Sequence, residues 1–368
     1  MIAILQPYIP HYREEFFNML KEQLPMDLYC YEKQADIGKD HFKGANTGIM
    51  PLSAIVKGPF VFYNPFTLLN RKYNVLVLML NFGHLSTWLI LLMKPFIKQK
   101  IVLWGHGISV KRYVKEEKKP HFLLRWMIAL SDGVWFYTKK ELEVWKTFMP
   151  KLNGHALNNT ISGVDAILEL DMPDKQALRE KYGIAQQRVL IYCARFNEPG
   201  RRVDLLVELI ETLSPEGFAF VIIGDGRLKP DFSAYPHVKD FGALYDRKVK
   251  DELFSMADIY FQPGWVGLSI VEAMSYGKPV FTFKRSESIL QCVEYSYIRH
   301  GHNGMIFDSM RECVDTLSLT TEKEIGRMGE NARAYVRQEL TMDTMADNAL
   351  TAIRHISSPK PVLHEDAK

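Results

Sequence analysis

Residues 259–283 contain a strand pattern, a loop, a helix pattern and the start of a second strand in one short span. The apolar run 259–261 enters a Pro263-Gly264 turn, the spacing predicts a helix from Ser269 to Gly277, and Pro279 opens the next apolar run. This order puts a loop at the carboxyl end of a strand and the start of a helix beside it. Such helix starts suit anions, because their first N–H groups lack intrahelical partners and the helix dipole favours negative charge there. Glu272, one turn in, is placed to accept hydrogen bonds from sugar hydroxyls next to such an anion. Ser269 and Glu272 also have the spacing of a capping box, in which each side chain satisfies the other's backbone N–H. On these residues alone both readings stand.

The same order recurs along the chain. Residues 2–5 read as a strand, 6–13 as a loop and 14–23 as a helix whose apolar side includes Phe16, Phe17 and Leu20. Strands follow at 27–31, 75–80, 101–104 and 133–137, then at 188–194 and 218–223, with a strand and turn from 238. A helix over 247–256 leads into the opening stretch. Alternating strand and helix patterns predict an α/β fold with doubly wound sheets. With 368 residues the chain exceeds one ordinary core and suits two domains. A shift from basic to acidic composition over 161–186 places the join, giving domains at 1–163 and 164–340. The segment 341–357 reads as a terminal helix and 358–368 as a mobile tail.

Charge divides along the same line. Residues 1–165 hold 21 Lys and Arg against 13 Asp and Glu, and the remainder holds 25 against 30. A basic first half suits an anionic partner such as a membrane surface or a phosphorylated substrate. No zinc-finger or RNA-reading aromatic motif accompanies it, so nucleic acid is not an expected partner. Cys30, Cys193, Cys292 and Cys313 are scattered without metal or redox spacing, as in a reduced cytoplasmic chain. Residues 73–93 lack charge, but Asn81, Gly83 and His84 interrupt them. A buried strand, a turn and a buried helix are therefore expected there rather than a membrane span.

Several loops present chemistry at predicted strand ends, where doubly wound sheets bind ligands. After the first strand come His11, Tyr12 and Arg13. After residues 101–104 comes His106 between two glycines, whose lack of Cβ lets backbone approach a ligand, or which form a turn around a histidine bonded to its own loop. After 188–194 come Arg195, Arg201 and Arg202, suited to a diphosphate because guanidinium stays charged and makes paired hydrogen bonds. The Lys- and Arg-rich stretch 109–127 reads as a basic surface for anionic headgroups or as a solvated face. Gly224-Asp225-Gly226 lacks the third glycine of a dinucleotide site.

Taken together, Tyr12-Arg13-Glu14-Glu15-Phe16-Phe17, Trp104-Gly-His-Gly107, Arg195 to Leu206, Val221 to Gly226, Phe241-Gly242, Ala257-Asp258 and Gly267 to Val280 resemble retaining GT-B glycosyltransferases of family four. The resemblance covers most of the chain. It implies two Rossmann-like domains facing across a cleft, with the C-terminal helix returning to the first, and transfer of a sugar from a nucleoside diphosphate to an acceptor hydroxyl. It also implies no cofactor beyond the nucleotide-sugar co-substrate and no metal, consistent with the lack of an Asp-x-Asp motif. By position, Arg195 and Arg201 would neutralise the diphosphate, and His106 would contact the transferred sugar. Gly242 to Leu244 would touch the base, Gly267, Leu268 and Ser269 would meet phosphate, and Glu272 would bind ribose. The basic first domain makes a glycan or lipid-linked acceptor the expectation, with bacterial surface polysaccharide assembly as setting and a cytoplasmic, membrane-peripheral location. Two departures stand out. Gly264 occupies the first position of the family's Glu, seven residues, Glu pattern, and the usual glycine pair of the first loop is replaced by Gln6-Pro7-Tyr8-Ile9-Pro10. A GT-B epimerase and a non-catalytic nucleotide-sugar-binding protein are the alternatives.

Overall fold

Apolar runs that alternate with helix patterns form two separate parallel sheets in the computed structural model, which describes residues 1–32 and 48–357. The expected tail lies outside the described residues. One unit comprises Met1–Ile108, Lys115–Asn158 and the chain from Met342 on; the other comprises Ser109–Val114 and Asn159–Thr341. The segment 109–114, placed in the first domain by the sequence reading, thus clusters with the second unit.

In the first unit, β1 (Ile2–Gln6), β2 (Met26–Cys30), β3 (Ile49–Pro51), β6 (Val75–Met79), β7 (Lys100–Gly105), β8 (Gly133–Phe136) and β9 (Gly154–Ala156) form a sheet. Its order is β3-β2-β1-β6-β7-β8-β9, parallel throughout. Ile4, Val77 and Val102 are buried, as central strands covered on both faces require. The strands β4 (Ala54–Lys57) and β5 (Phe60–Tyr63) make a separate antiparallel hairpin. Helices α1 (Glu14–Gln23), α2 (Pro65–Leu68), α3 (Leu85–Leu92), α4 (Tyr113–Glu116), α5 (Phe122–Leu130) and α6 (Lys139–Phe148) follow in chain order, the first two residues of α4 clustering with the second unit. The charge-free stretch 73–93 divides into β6 and α3, and among the described residues no helix is long and apolar enough to cross a membrane.

In the second unit, β10 (Arg188–Cys193), β11 (Phe218–Ile223), β12 (Val238–Asp240), β13 (Ile259–Phe261), β14 (Val280–Phe283) and β15 (Gly304–Phe307) pair in the order β12-β11-β10-β13-β14-β15. Its helices are α7 (Val164–Leu168), α8 (Lys175–Lys181), α9 (Val203–Thr212), α10 (Arg247–Met256), α11 (Ser269–Ser275), α12 (Met310–Leu319) and α13 (Glu322–Glu339). The last helix, α14 (Met342–Ser357), buries Met345, Ala349 and Ile353 in the first unit's core with Phe16 and Trp104.

Both sheets grow outward in two directions from a first strand. In the first unit the order reverses between β1 and β6, in the second between β10 and β13. At such a switch point the loops leaving neighbouring strands diverge and open a crevice at the carboxyl ends, where ligands bind in open α/β sheets.

Candidate active site

The second unit's switch point joins the loop after β10 to the loop after β13, and glycines set how closely they approach. A Cβ on Gly264 would lie 2.4 Å from the Gly200 carbonyl oxygen and 3.1 Å from Arg202 Cγ. A Cβ on Gly200 would lie 2.4 Å from the Trp265 ring. No side chain fits at 264 while the 199–202 turn keeps its path, so the missing carboxylate has a steric cause. Trp265 itself is left-handed at φ 53°, a conformation costly for a bulky residue and held here by its surroundings. Its N–H donates to the Leu290 carbonyl at 2.6 Å. Buried Gln262 donates to the carbonyls of Gly264 and Trp265, while its own oxygen accepts from the Tyr260 and Ser269 hydroxyls. Buried Gln291 donates to the Phe283 carbonyl, and its oxygen accepts from the Val266 N–H. These amides fix the loop from inside.

The capping box is not formed. Helix α11 begins with Leu268 as its N-cap and has no side-chain cap. The Ser269 hydroxyl turns back to Gln262 at 2.8 Å, and Glu272 points away to Lys250, whose Nζ lies 2.7 and 2.8 Å from its two oxygens. Ile270 and Val271 donate to the Gly267 and Leu268 carbonyls. The N–H groups of Gly267, Leu268 and Ser269 meet no backbone acceptor among the described residues. They are the orphan donors of a helix start.

Cys193, the last residue of β10, marks where the charged groups converge. Burial pushes its thiol up to about 12, with Lys250, Glu272 and Arg201 all near enough to act on it. Arg201 also faces Tyr192, whose hydroxyl is raised by burial to about 12 while the guanidinium opposes the rise. Arg201 Nε is buried without a hydrogen-bond partner beside the Tyr192 hydroxyl, and a bound oxyanion would supply one. Arg195 is exposed on the same loop. Arg202, in contrast, is engaged: it pairs with Asp204 through Nε and Nη2 at 2.6 to 3.0 Å as α9 starts. Gly242, at φ 62°, donates to Asp240 and accepts from Gly224 at 2.7 Å; Leu244 packs on the core two residues later.

Three other motif residues are structural. Asp258 accepts from Arg179, from Lys175 and from the Val189 N–H, clamping β10 to α8 and the start of β13. Gly224 and Gly226 sit directly against the β10 loop, since their Cβ atoms would fall 2.1 Å from the Ala194 oxygen and 2.5 Å from Asn197 Oδ1.

In the first unit, Arg13 and His106 meet around Tyr137. The Arg13 guanidinium lies 5.7 Å from the Tyr137 ring centre, and the His106 ring lies 4.6 Å from it. Arg13 also contacts Met345 Sδ at 3.0 Å, and His11 meets Tyr12 edge to face. His106 keeps an exposed edge, but the protein around it, with Arg13 second, pushes its pKa down to about 4. Its imidazole is therefore neutral near pH 7. The glycines beside it serve packing: a Cβ on Gly105 would meet Leu80 at 2.9 Å and one on Gly107 the Trp145 ring at 2.5 Å. Trp145 Nε1 donates to the Gly107 carbonyl at 3.2 Å. A recess of about 920 Å³ lined by Tyr73, Lys98, Lys100 and Asp132 lies instead at the amino ends of β6 and β7, the wrong end of the sheet for this chemistry.

Tyr137, Lys250 and Gln262 escaped the sequence reading. Lys250 and Glu272 lie on different helices, and nothing local links them; Gln262 stands inside residues 259–283 with no role visible in the pattern.

Comparison with known proteins agrees with this geometry. Residues 187–318 match the family model of glycosyl transferases group 1. No curated protein matches the sequence. Among solved structures, HepE of Anabaena in complex with UDP and glucose is 14% identical, with 96% of this chain and 99% of that chain covered and a TM-score of 0.63. The lipopolysaccharide outer core galactosyltransferase WaaB is 14% identical over 96% and 99% at a TM-score of 0.66. WaaG, a glycosyltransferase involved in lipopolysaccharide biosynthesis, is 17% identical over 98% and 100% at 0.58. The chain thus has the GT-B fold of these structures, and its second unit carries a domain that matches the group 1 glycosyl transferase model.

Proposed function

We propose that the chain moves a sugar from a nucleoside diphosphate donor to an acceptor hydroxyl with retention at the anomeric carbon, and that the second unit binds the donor. The observation that carries the reading is the convergence of Arg201, Lys250 and Glu272 on the end of β10, beside orphan N–H groups at the start of α11. Arg195, Arg201 and the N–H groups of Leu268 and Ser269 neutralise the diphosphate as it leaves, so catalysis is mainly positioning and electrostatic stabilisation. Glu272 accepts from the ribose hydroxyls. Lys250 occupies one lone pair on each carboxylate oxygen and leaves others free, so it orients the acceptor atoms without consuming them. Gly242 to Leu244 line the base. His106, neutral at working pH, takes a hydrogen bond with a sugar hydroxyl, and His11, Tyr12 and Arg13 serve the acceptor side. Retention is inferred from the motif order.

The complexes of HepE with UDP and with UDP-glucose favour a uridine nucleotide, and the WaaB and WaaG likenesses favour a surface glycan on a lipid carrier as acceptor. A thermal-shift screen of nucleotide sugars tests the donor assignment. At least one nucleoside diphosphate is expected to stabilise the wild type, and Glu272→Ala to weaken that stabilisation; no shift with any nucleotide sinks the reading. Product analysis then separates transfer from epimerisation, which converts the donor without an acceptor. Binding without turnover across an acceptor panel identifies a non-catalytic partner.

A further inference from the structure

Helix α3 is inside out. Its buried face carries Ser86 and Thr87 along with Ile90 and Leu91, while Leu85, Leu89 and Leu92 form an exposed stripe at helical spacing. The hydroxyls have a reason to face inward. Ser86 accepts from the Tyr63 N–H at 2.8 Å and donates to the Tyr63 carbonyl at 2.6 Å, and Thr87 meets the Tyr63 hydroxyl at 2.9 Å. That bonding stitches α3 to β5 and turns the leucines outward. A helix bathed only in water would be expected to show the reverse pattern.

The neighbouring elements continue the apolar face. Helix α3 packs against both β5 and α5. On the hairpin, the outward cross-strand pairs are Ile55 with Phe62 and Lys57 with Phe60, all exposed. On α5, Phe122 and Trp126 stand one turn apart with ring centres 6.0 Å from each other, and Trp126 is 61% exposed. Just past α3, Phe96 is 87% exposed. Single exposed apolar residues are ordinary, but a concentration on adjoining elements marks an interaction surface.

Charge selects the occupant. Leaving out 109–114, which cluster with the second unit, residues 54–126 contain ten Lys and Arg and only two acids, Glu116 and Glu117. Glu116 is buried and Glu117 pairs with Lys140, so neither offsets the exposed lysines. Lys57 lies on the apolar face of the hairpin, Lys98 follows Phe96, and Lys118, Lys119 and Arg125 flank Phe122. A second copy brought to this face would set like charges against each other. An anionic bilayer offers phosphate to the lysine heads and hydrocarbon to the leucines and aromatic rings, while lysine stems can lie along apolar surface.

We propose that α3, α5 and the β4–β5 hairpin form a membrane-docking face that inserts Leu89, Leu92, Trp126 and Phe96 into the interfacial layer of an anionic bilayer. This goes beyond adsorption of a basic stretch to headgroups, because the apolar side chains anchor the protein after charge has drawn it in. It is independent of the donor reading: vesicle binding without nucleotide binding, or the converse, separates the two.

The test uses the full chain and vesicles of phosphatidylcholine with about 30% phosphatidylglycerol, scored by co-sedimentation with light scattering of the free protein in parallel. Wild type is expected to pellet with these vesicles and to keep a substantial bound fraction in about 1 M salt, where exposed charge is screened over ~3 Å. Leu92→Glu combined with Trp126→Glu is expected to lower the partition coefficient at least about tenfold without changing nucleotide-induced thermal stabilisation. Brominated lipid is expected to quench wild-type tryptophan emission and to quench Trp126→Phe far less. Salt-reversible binding that the double variant retains would overturn insertion in favour of adsorption. A dimer dissociated by the double variant, with no vesicle binding by either protein, would overturn it in favour of self-association.

Discussion

The two switch points share a topology and differ in chemistry. In the second unit, the crevice after β10 and β13 is walled by glycines that exclude side chains, by buried amides that hold the loop, and by Arg201, Lys250 and Glu272 near Cys193. In the first unit, the loop after β1 is built from Pro7 and Pro10 without glycine, and the cluster nearby is Arg13, His106 and Tyr137. The proposed function seats an anion in the first of these crevices. The other offers aromatic faces and an imidazole held neutral, which suit sugar hydroxyls. A doubly wound sheet decides where a ligand binds, and the loop residues decide which ligand.

The largest expected effect breaks the packed crevice. Gly264→Glu installs the carboxylate of the pattern this stretch resembles but places a Cβ 2.4 Å from a backbone carbonyl. We expect it to cost about 2–4 kcal/mol of stability and to abolish donor binding, measured by denaturant melts and calorimetry. A stable variant with faster transfer would show that the turn can yield. Next comes Arg201→Met, which removes charge and leaves Tyr192 buried. Affinity for a nucleoside diphosphate should fall about 10- to 100-fold, with a much smaller loss for the matching monophosphate, by titration calorimetry. Equal losses for both would move Arg201 away from the second phosphate.

Lys250→Met leaves Glu272 in place without its partner. We expect about a tenfold loss of nucleotide affinity and a smaller loss for the 2′-deoxy analogue, because the ribose contact is the part that is disordered. The smallest effect belongs to His106. Its folded pKa near 4 lies below the ordinary 6.5, so the neutral form is the one folding favours. The associated stability is fully present above about pH 6.5 and declines as pH falls toward 4. His106→Asn should therefore flatten the acid limb of a stability profile in that window, and NMR titration of His106 should find it neutral at pH 6. An imidazole titrating near 6.5 would remove the contrast between the two crevices.

Much of the architecture was legible because it rests on local pattern. The helix expected over 247–256 is α10, and the apolar runs after residues 1, 74, 187 and 217 became strands, since periodicity and breakers act over a few residues. The places of His106 and Arg195 just past strands were legible for the same reason. The β4–β5 hairpin and the pairing of Lys250 with Glu272 were not. Nothing at 250 signals a partner twenty-two residues away on another helix.

Residues 259–283 carry both lessons. Their sequence by itself determined a strand, a turn, a short helix and a second strand, because Pro, Gly and apolar spacing constrain the backbone locally. Only the tertiary structure decided against the cap at Ser269 and Glu272, by giving each another partner in Gln262 and Lys250. It also explained Gly264, whose neighbour is the Gly200 carbonyl of a distant loop. Close approach between remote segments is a property of packing, and a linear pattern does not contain it.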